Sequence, residues 1–310
     1  MQTIIGALQI TALDELPWLA AVWFCLLGGC IGSFLNVVAY RMPLGMSLLS
    51  PGSHCPVCEH PIRARDNIPV WGWILLKGRC RDCKAPISGR YPTIEAVAAA
   101  AFGILWWVDI YQRRDWVDSS TIRFALFALH ALLISTVLAI ALIDFDGKRT
   151  PLRIVIPCCL VWVWVYWTLP EVIFLMNSGP IWSHPFVGAA VGIVFGGLVE
   201  PVKQGDYRWN RFIALTLVGT FLSVVSVSVT VVAALLGALA IQRTRPVQRH
   251  PWFLPCVFAM TVLWAVINSG QIDVQHIGEQ TQIAIVLGTV LVLLIGFLRR
   301  RFWMAGNQTS

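Results

Sequence analysis

Apolar runs long enough to cross about 30 Å of hydrocarbon recur along this chain, and no other feature restricts its fold as much. They fall at 17–39, 93–109, 123–143, 154–175, 184–199, 252–268 and 282–298. The stretch 211–241 is too long for one ordinary span and carries Ser223, Ser226 and Ser228 near its middle, so it reads as two short helices. The pattern predicts an all-α polytopic membrane protein of about eight or nine transmembrane helices with one Cys-rich cytoplasmic loop. Composition agrees: 13% of residues are charged, against about 25% in soluble domains. Mean hydropathy is +0.71. Fifteen Trp fit the aromatic belts of bilayer interfaces. No soluble domain of appreciable size and no internal repeat is read here, nor any removable signal peptide.

Charge sets the expected topology. The polar segment 41–92 holds Arg41, Arg63, Arg65, Lys77, Arg79, Arg81, Lys84 and Arg90 against Glu59, Asp66 and Asp82. The positive-inside rule makes it cytoplasmic and puts the N-terminus outside. The 242–250 loop and Arg299, Arg300 and Arg301 then also fall inside. The loop near 110–122 goes against the rule, with Arg113 and Arg114 outside. The net charge of +7 reads as basic residues flanking spans, not as a nucleic-acid surface. The chain divides into a first span at 17–39, the loop 41–92, a membrane core at 93–268 and an additional C-terminal span at 282–298.

Within the loop lie Cys55-Pro56-Val57-Cys58 and Cys80-Arg81-Asp82-Cys83, with 21 residues between the pairs. Two such knuckles can present four thiolates tetrahedrally to a structural Zn²⁺, and a loop too small to bury a core gains most from a metal. Unmetallated thiols and redox chemistry are the other readings, the last opposed by a reducing compartment. Cys25, Cys30, Cys158, Cys159 and Cys256 sit in or beside apolar runs and read as packing.

Two acidic residues stand at predicted cytoplasmic span ends. Asp144 lies in Ala141-Leu142-Ile143-Asp144-Phe145-Asp146-Gly147, and Asp206 precedes the span that follows it. Two carboxyls brought together share a proton, because repulsion raises one pKa and leaves the other group ionised. The ionised one can take a proton from water while the other polarises a scissile carbonyl. The competing reading makes them boundary charges and an N-cap. No acidic residue falls in the middle of a span, which weighs against a transporter; Asp109 and Glu171 lie near ends.

Read in order, these pieces resemble a known family. The run Gly32-Ser33-Phe34-Leu35-Asn36-Val37-Val38-Ala39-Tyr40-Arg41-Met42-Pro43 closes the first span; the double CxxC loop follows and ends in Arg90-Tyr91-Pro92-Thr93-Ile94-Glu95. This closely resembles the bacterial type IV prepilin leader peptidases, which are also N-methyltransferases, over residues 28–96 and more thinly to about residue 262. Asp144 matches the family's first catalytic aspartate, and Asp206 that of its Gly-x-Gly-Asp motif, with Glu200 where an upstream glutamate is expected. Three positions depart: Lys203 replaces the motif's first glycine, Arg208 a lysine, and Leu152 an aspartate.

The resemblance implies a membrane aspartic endopeptidase of the bacterial inner membrane. It would cut the basic leader of type IV prepilin or pseudopilin precursors where lipid meets cytosol, with the Cys-rich loop covering the site. It also implies methylation of the new N-terminus from S-adenosylmethionine. Glu95, Glu200 and Lys203 are the candidate substrate contacts, with a salt bridge from Glu95 to Arg90 or Arg41 as the competing role for Glu95. A zinc-bearing membrane scaffold, altered at Lys203 and without activity, is the reading from another class.

Overall fold

The computed structural model describes residues 17–115, 117, 119–172, 189–190, 193, 207–222 and 257–258. Among these residues every regular element is helical, with two isolated antiparallel bridges and no strand. Helix α1 spans Pro17–Arg41, as the first apolar run predicts, and the Arg41 guanidinium turns back to the Ser47 carbonyl at 3.0 Å. A 3-10 turn at Ala64–Asp66 and a short helix α2 at Trp71–Leu75 interrupt the following loop. Helix α3, Arg90–Leu105, continues as a π-helical stretch over Trp106–Tyr111 and a 3-10 turn over Gln112–Asp115. Helix α4 covers Ser120–Phe145, its first turn capped by Ser119 Oγ, which accepts from the Ile122 N–H. Helices α5, Leu152–Thr168, and α6, Tyr207–Leu222, complete the described set.

Three helices are long and apolar enough to cross a membrane: Pro17–Arg41, Arg90–Asp115 and Ser120–Phe145. The second runs beyond the expected 93–109, and α5 stops short of the expected 175. The expected spans at 184–199, 252–268 and 282–298, and the second half of 211–241, lie almost wholly outside the described residues.

Helix α4 is the core. Leu126, Leu129, Leu133, Val137 and Ile140, spaced three or four apart, are buried and form one continuous apolar stripe. Phe127 meets Phe24 of α1 edge-on at 4.7 Å and Phe102 of α3 at 6.0 Å. Helices α1 and α3 approach through small residues, as membrane helices do. A β-carbon on Gly28 would meet the Ala98 carbonyl at 2.6 Å, and one on Gly32 the Ala98 Cβ at 2.8 Å.

The basic residues near 110–122 have a structural answer. Asp109 is fully buried, not at an open boundary. It accepts from Arg113 Nε at 3.2 Å and faces His130 Nδ1 of α4 at 2.7 Å. Arg123 reaches the Ile110 carbonyl at 3.2 Å. Arg113, one of the two cations that go against the charge rule, is thus held inside the bundle rather than displayed in a loop.

Candidate active site and metal centre

Asp144 sits where α4 ends, and the chain terminates the helix there by backbone geometry. Gly147 adopts φ 70°, a left-handed conformation that favours glycine. The Gly147 N–H bonds the Asp144 carbonyl at 2.9 Å and the Lys148 N–H the Ile143 carbonyl at 3.0 Å, the paired bonds of a Schellman ending. This keeps the Asp144 side chain on the last turn, 1% exposed. Asp146, one turn end further, takes both arms of Arg90 from the start of α3, with Nη2 to Oδ2 at 2.9 Å. The ends of α3 and α4 are therefore locked together beside Asp144.

Asn210 of α6 organises the same corner. Its Nδ2 donates to Asp144 Oδ1 at 2.9 Å and to the Lys148 carbonyl at 2.8 Å, and its Oδ1 accepts from the Thr150 N–H at 2.8 Å. Asn210 is fully buried. Sequence reasoning missed it, although a signal existed: an amide opening an apolar helix, four residues after Asp206. Asp206, Glu200 and Lys203 themselves lie outside the described residues.

Glu95 departs from the salt bridge expected of it. Arg90 pairs with Asp146 and Arg41 with the Ser47 carbonyl. Glu95 is 8% exposed, and its Oε2 accepts the Val70 N–H at 2.7 Å. Val70 holds φ 64° just ahead of α2, so the carboxylate satisfies a backbone donor that this turn leaves over.

The four cysteines of the loop converge. The Sγ atoms of Cys55, Cys58, Cys80 and Cys83 lie within 4.8 Å of one another, and no other such group occurs among the described residues. Cys55 and Cys83 are 3.7 Å apart, Cys58 and Cys80 4.0 Å. A disulfide needs about 2.05 Å, and all four are free thiols. Thiolates about 2.3 Å from a central ion form a tetrahedron with edges of about 3.8 Å. The cluster matches that size and can hold a metal ion.

The two knuckles are copies of each other, which corrects the expectation of no internal repeat. Cys55-Pro56-Val57-Cys58-Glu59-His60-Pro61-Ile62 aligns with Cys80-Arg81-Asp82-Cys83-Lys84-Ala85-Pro86-Ile87 at a shift of 25. The Cys55 N–H bonds the His60 carbonyl as the Cys80 N–H bonds that of Ala85, and Glu59 and Lys84 both take positive φ. The repeat is too short to register at the scale of whole spans. Ion pairs tie the second knuckle to the chain just after the first: Arg81 holds Asp66 through both carboxylate oxygens, and Arg63 reaches Asp82 at 3.1 Å. The hydrogen bond and charge of Arg81 hold the Asp66 carboxyl below its usual range.

Electrostatics favour a cation among the sulphurs. The backbone N–H groups of Cys58 and Val57 hold the Cys55 thiol down to about 6. For Cys58 the His60 N–H favours the thiolate, but desolvation and the three neighbouring thiols outweigh it and push the group up to about 12. Four thiolates this close need a positive charge between them.

Fold and site together define a class: a helical membrane protein whose polar groups gather at the end of its bundle, beside a loop that clusters four thiols. Comparison with known proteins narrows that class. Residues 26–108 match the family described as Bacterial Peptidase A24 N-terminal domain. The prepilin leader peptidase/N-methyltransferase of Myxococcus xanthus is 34% identical over 184 residues, 59% of this chain and 49% of that protein. The type 4 prepilin-like proteins leader peptide-processing enzyme of Escherichia coli is 39% identical over 143 residues, 40% of this chain and 48% of that protein. The Klebsiella pneumoniae prepilin leader peptidase/N-methyltransferase is 46% identical over 94 residues, 28% and 41%. The chain spans about half the length of the curated relatives it matches. No solved structure matches it. The resemblance to type IV prepilin peptidases drawn from its motifs therefore holds, and the chain is a bacterial membrane protein.

Proposed function

We propose that this protein is a membrane aspartic endopeptidase that removes the basic leader of type IV prepilin or pseudopilin precursors, using Asp144 and Asp206 as its two carboxyls. One observation carries the reading: Asn210 binds Asp144 Oδ1, and Asn210 stands four residues after Asp206. Even fully extended, four residues reach only about 14 Å. That short reach supports the reading that the two carboxyls, 62 positions apart in sequence, act together. One carboxylate takes a proton from water as the other, protonated, donates to the scissile carbonyl. The new amine leaves with a proton, and the pair returns to its shared-proton state. Glu200 and Lys203, close to Asp206 in sequence, contact the leader. Glu95 braces the loop and is the candidate contact for the new amine.

The rest of the reading follows the same resemblance. Cys55, Cys58, Cys80 and Cys83 hold a structural zinc ion, favoured by an all-sulphur tetrahedral donor set. The protein lies in the inner membrane with eight or nine spans, its N-terminus outside, and loop 41–92 and both aspartates toward the cytoplasm. The core 93–268 carries the peptidase, and 282–298 is an additional span. N-methylation from S-adenosylmethionine rests on the names of the relatives, which join both activities. The test is cleavage of a purified prepilin in proteoliposomes. Asp144→Asn and Asp206→Asn should each insert normally and leave the leader attached; retained cleavage by both variants refutes the assignment.

A further inference from the structure

The middle of the Cys-rich loop does not stay beyond the membrane helices. A β-carbon on Gly29 would lie 3.2 Å from Pro69 Cβ and 3.9 Å from Ala99 Cβ. Gly29 is twelve residues from the Arg41 end of α1, and Ala99 nine from the Arg90 end of α3. At about 1.5 Å per residue these are depths of about 18 Å and 14 Å, close to half of a hydrocarbon core about 30 Å thick. Pro69 therefore packs beside the waist of α1. Glu95, five residues inside α3, holds the Val70 N–H at the same place.

The side chains turned outward here are apolar. Ile68 is 46% exposed, Trp71 59%, Ile74 48% and Leu75 69%, and nothing among the described residues covers them. Exposed Lys77 and Arg79 follow, where the chain climbs back. Helix α1 turns Trp23, Leu26 and Phe34 outward in the same way, as a lipid-facing span does. Backbone groups at membrane depth must be satisfied within the protein, and several here are held by bonds of the chain itself. The N–H of Gly72 bonds the Ile68 carbonyl at 2.8 Å, that of Leu76 the Gly72 carbonyl at 3.0 Å, and that of Gly78 the Trp73 carbonyl at 2.9 Å. The indole N–H of Trp73 reaches the Ile87 carbonyl at 3.0 Å.

We propose that segment 68–75 is a re-entrant membrane anchor, seated among the acyl chains of the leaflet into which Arg41 and Arg90 emerge. Its partner is lipid hydrocarbon, with Lys77 and Arg79 reaching the phosphate headgroups above it. The anchor also locates the thiol cluster: Arg81 of the second knuckle grips Asp66, two residues before Ile68. The metal centre is thereby held against the bilayer surface. This does not depend on the peptidase reading.

The test uses the full chain in vesicles of phosphatidylethanolamine and phosphatidylglycerol. p-Benzoylphenylalanine is incorporated at Leu75 or, as a control on the first knuckle, at Val57, which is 69% exposed. After photolysis, mass spectrometry should find lipid adducts at 75 and not at 57. Separately, Trp71→Phe should remove part of the tryptophan emission that acyl-brominated lipids quench and leave acrylamide quenching unchanged. Equal lipid labelling at both positions, adducts at 75 only to another protein chain, or loss of the acrylamide-quenched part in Trp71→Phe overturns the proposal.

Discussion

Removing the Asn210 side chain separates positioning from chemistry at this site. In Asn210→Ala, Asp144 Oδ1, the Lys148 carbonyl and the Thr150 N–H each lose a bond of 2.8 to 2.9 Å. At about 1 kcal/mol net per bond, the corner where α4, the Gly147 turn and α6 meet loses about 3 kcal/mol. The bundle retains α4's buried stripe, so the protein should still insert and fold. The carboxyl pair should lose its register, and a misplacement near 1 Å can lower the rate about 100-fold. Steady-state cleavage of a prepilin in proteoliposomes should show that loss in kcat, with KM little changed, because the proposed leader contacts are other residues. Asn210→Asp should be worse than Ala: it keeps an acceptor for Thr150 but turns an acceptor toward Asp144 Oδ1 and the Lys148 carbonyl. A folded Asn210→Ala enzyme with wild-type kcat would refute the reasoning.

Metal analysis of the purified chain should give one zinc per molecule, lost in a Cys58→Ser, Cys83→Ser double variant that still inserts. Asp66→Asn should lower the thermal stability of the loop by a constant amount between about pH 5 and 8. Because the folded Asp66 pKa is depressed, the carboxylate's contribution is present above the ordinary value near 3.9 and vanishes as pH falls through the folded one. The two proteins should therefore begin to converge only as pH falls below about 4, and a gap that does not narrow on further acidification contradicts the Arg81 pairing. Gly32→Val should destabilise α1 against α3 by about 1–3 kcal/mol, since its β-carbon alone already meets Ala98 Cβ and the Ile94 carbonyl; an unchanged melting temperature would show that the helices separate without effect.

The span at Pro17–Arg41 was legible because nothing but its own apolar run decides it. The end of α4 was equally plain, since Asp144, Asp146 and Gly147 are local signals. What escaped depends on partners distant in sequence. Asn210 is an ordinary amide until a turn 60 residues away offers the Thr150 N–H. Arg90 was matched to nearby Glu95 by proximity in the chain, whereas its bidentate partner is 56 residues off. The re-entrant course of Pro69 follows from space left by Gly29, not from hydropathy. The π-helical stretch at Trp106–Tyr111 carries no composition of its own; it accompanies the seating of Asp109 between Arg113 and His130. The thiol cluster is legible from spacing alone, but the ion pairs from its second knuckle to Arg63 and Asp66 are not.

The pairing of Asp109 with Arg113 bears on how the chain enters lipid. A lone charge opposes insertion by about 2.5–3.5 kcal/mol at the centre of a membrane helix, and by less near an end such as this one. Because the two stand four residues apart on one helix, they can neutralise each other before any neighbour has arrived. The second membrane helix can leave the insertion machinery as an electrically balanced rod. His130 then joins when the third helix docks, so assembly of the bundle can follow the order in which the ribosome delivers its parts.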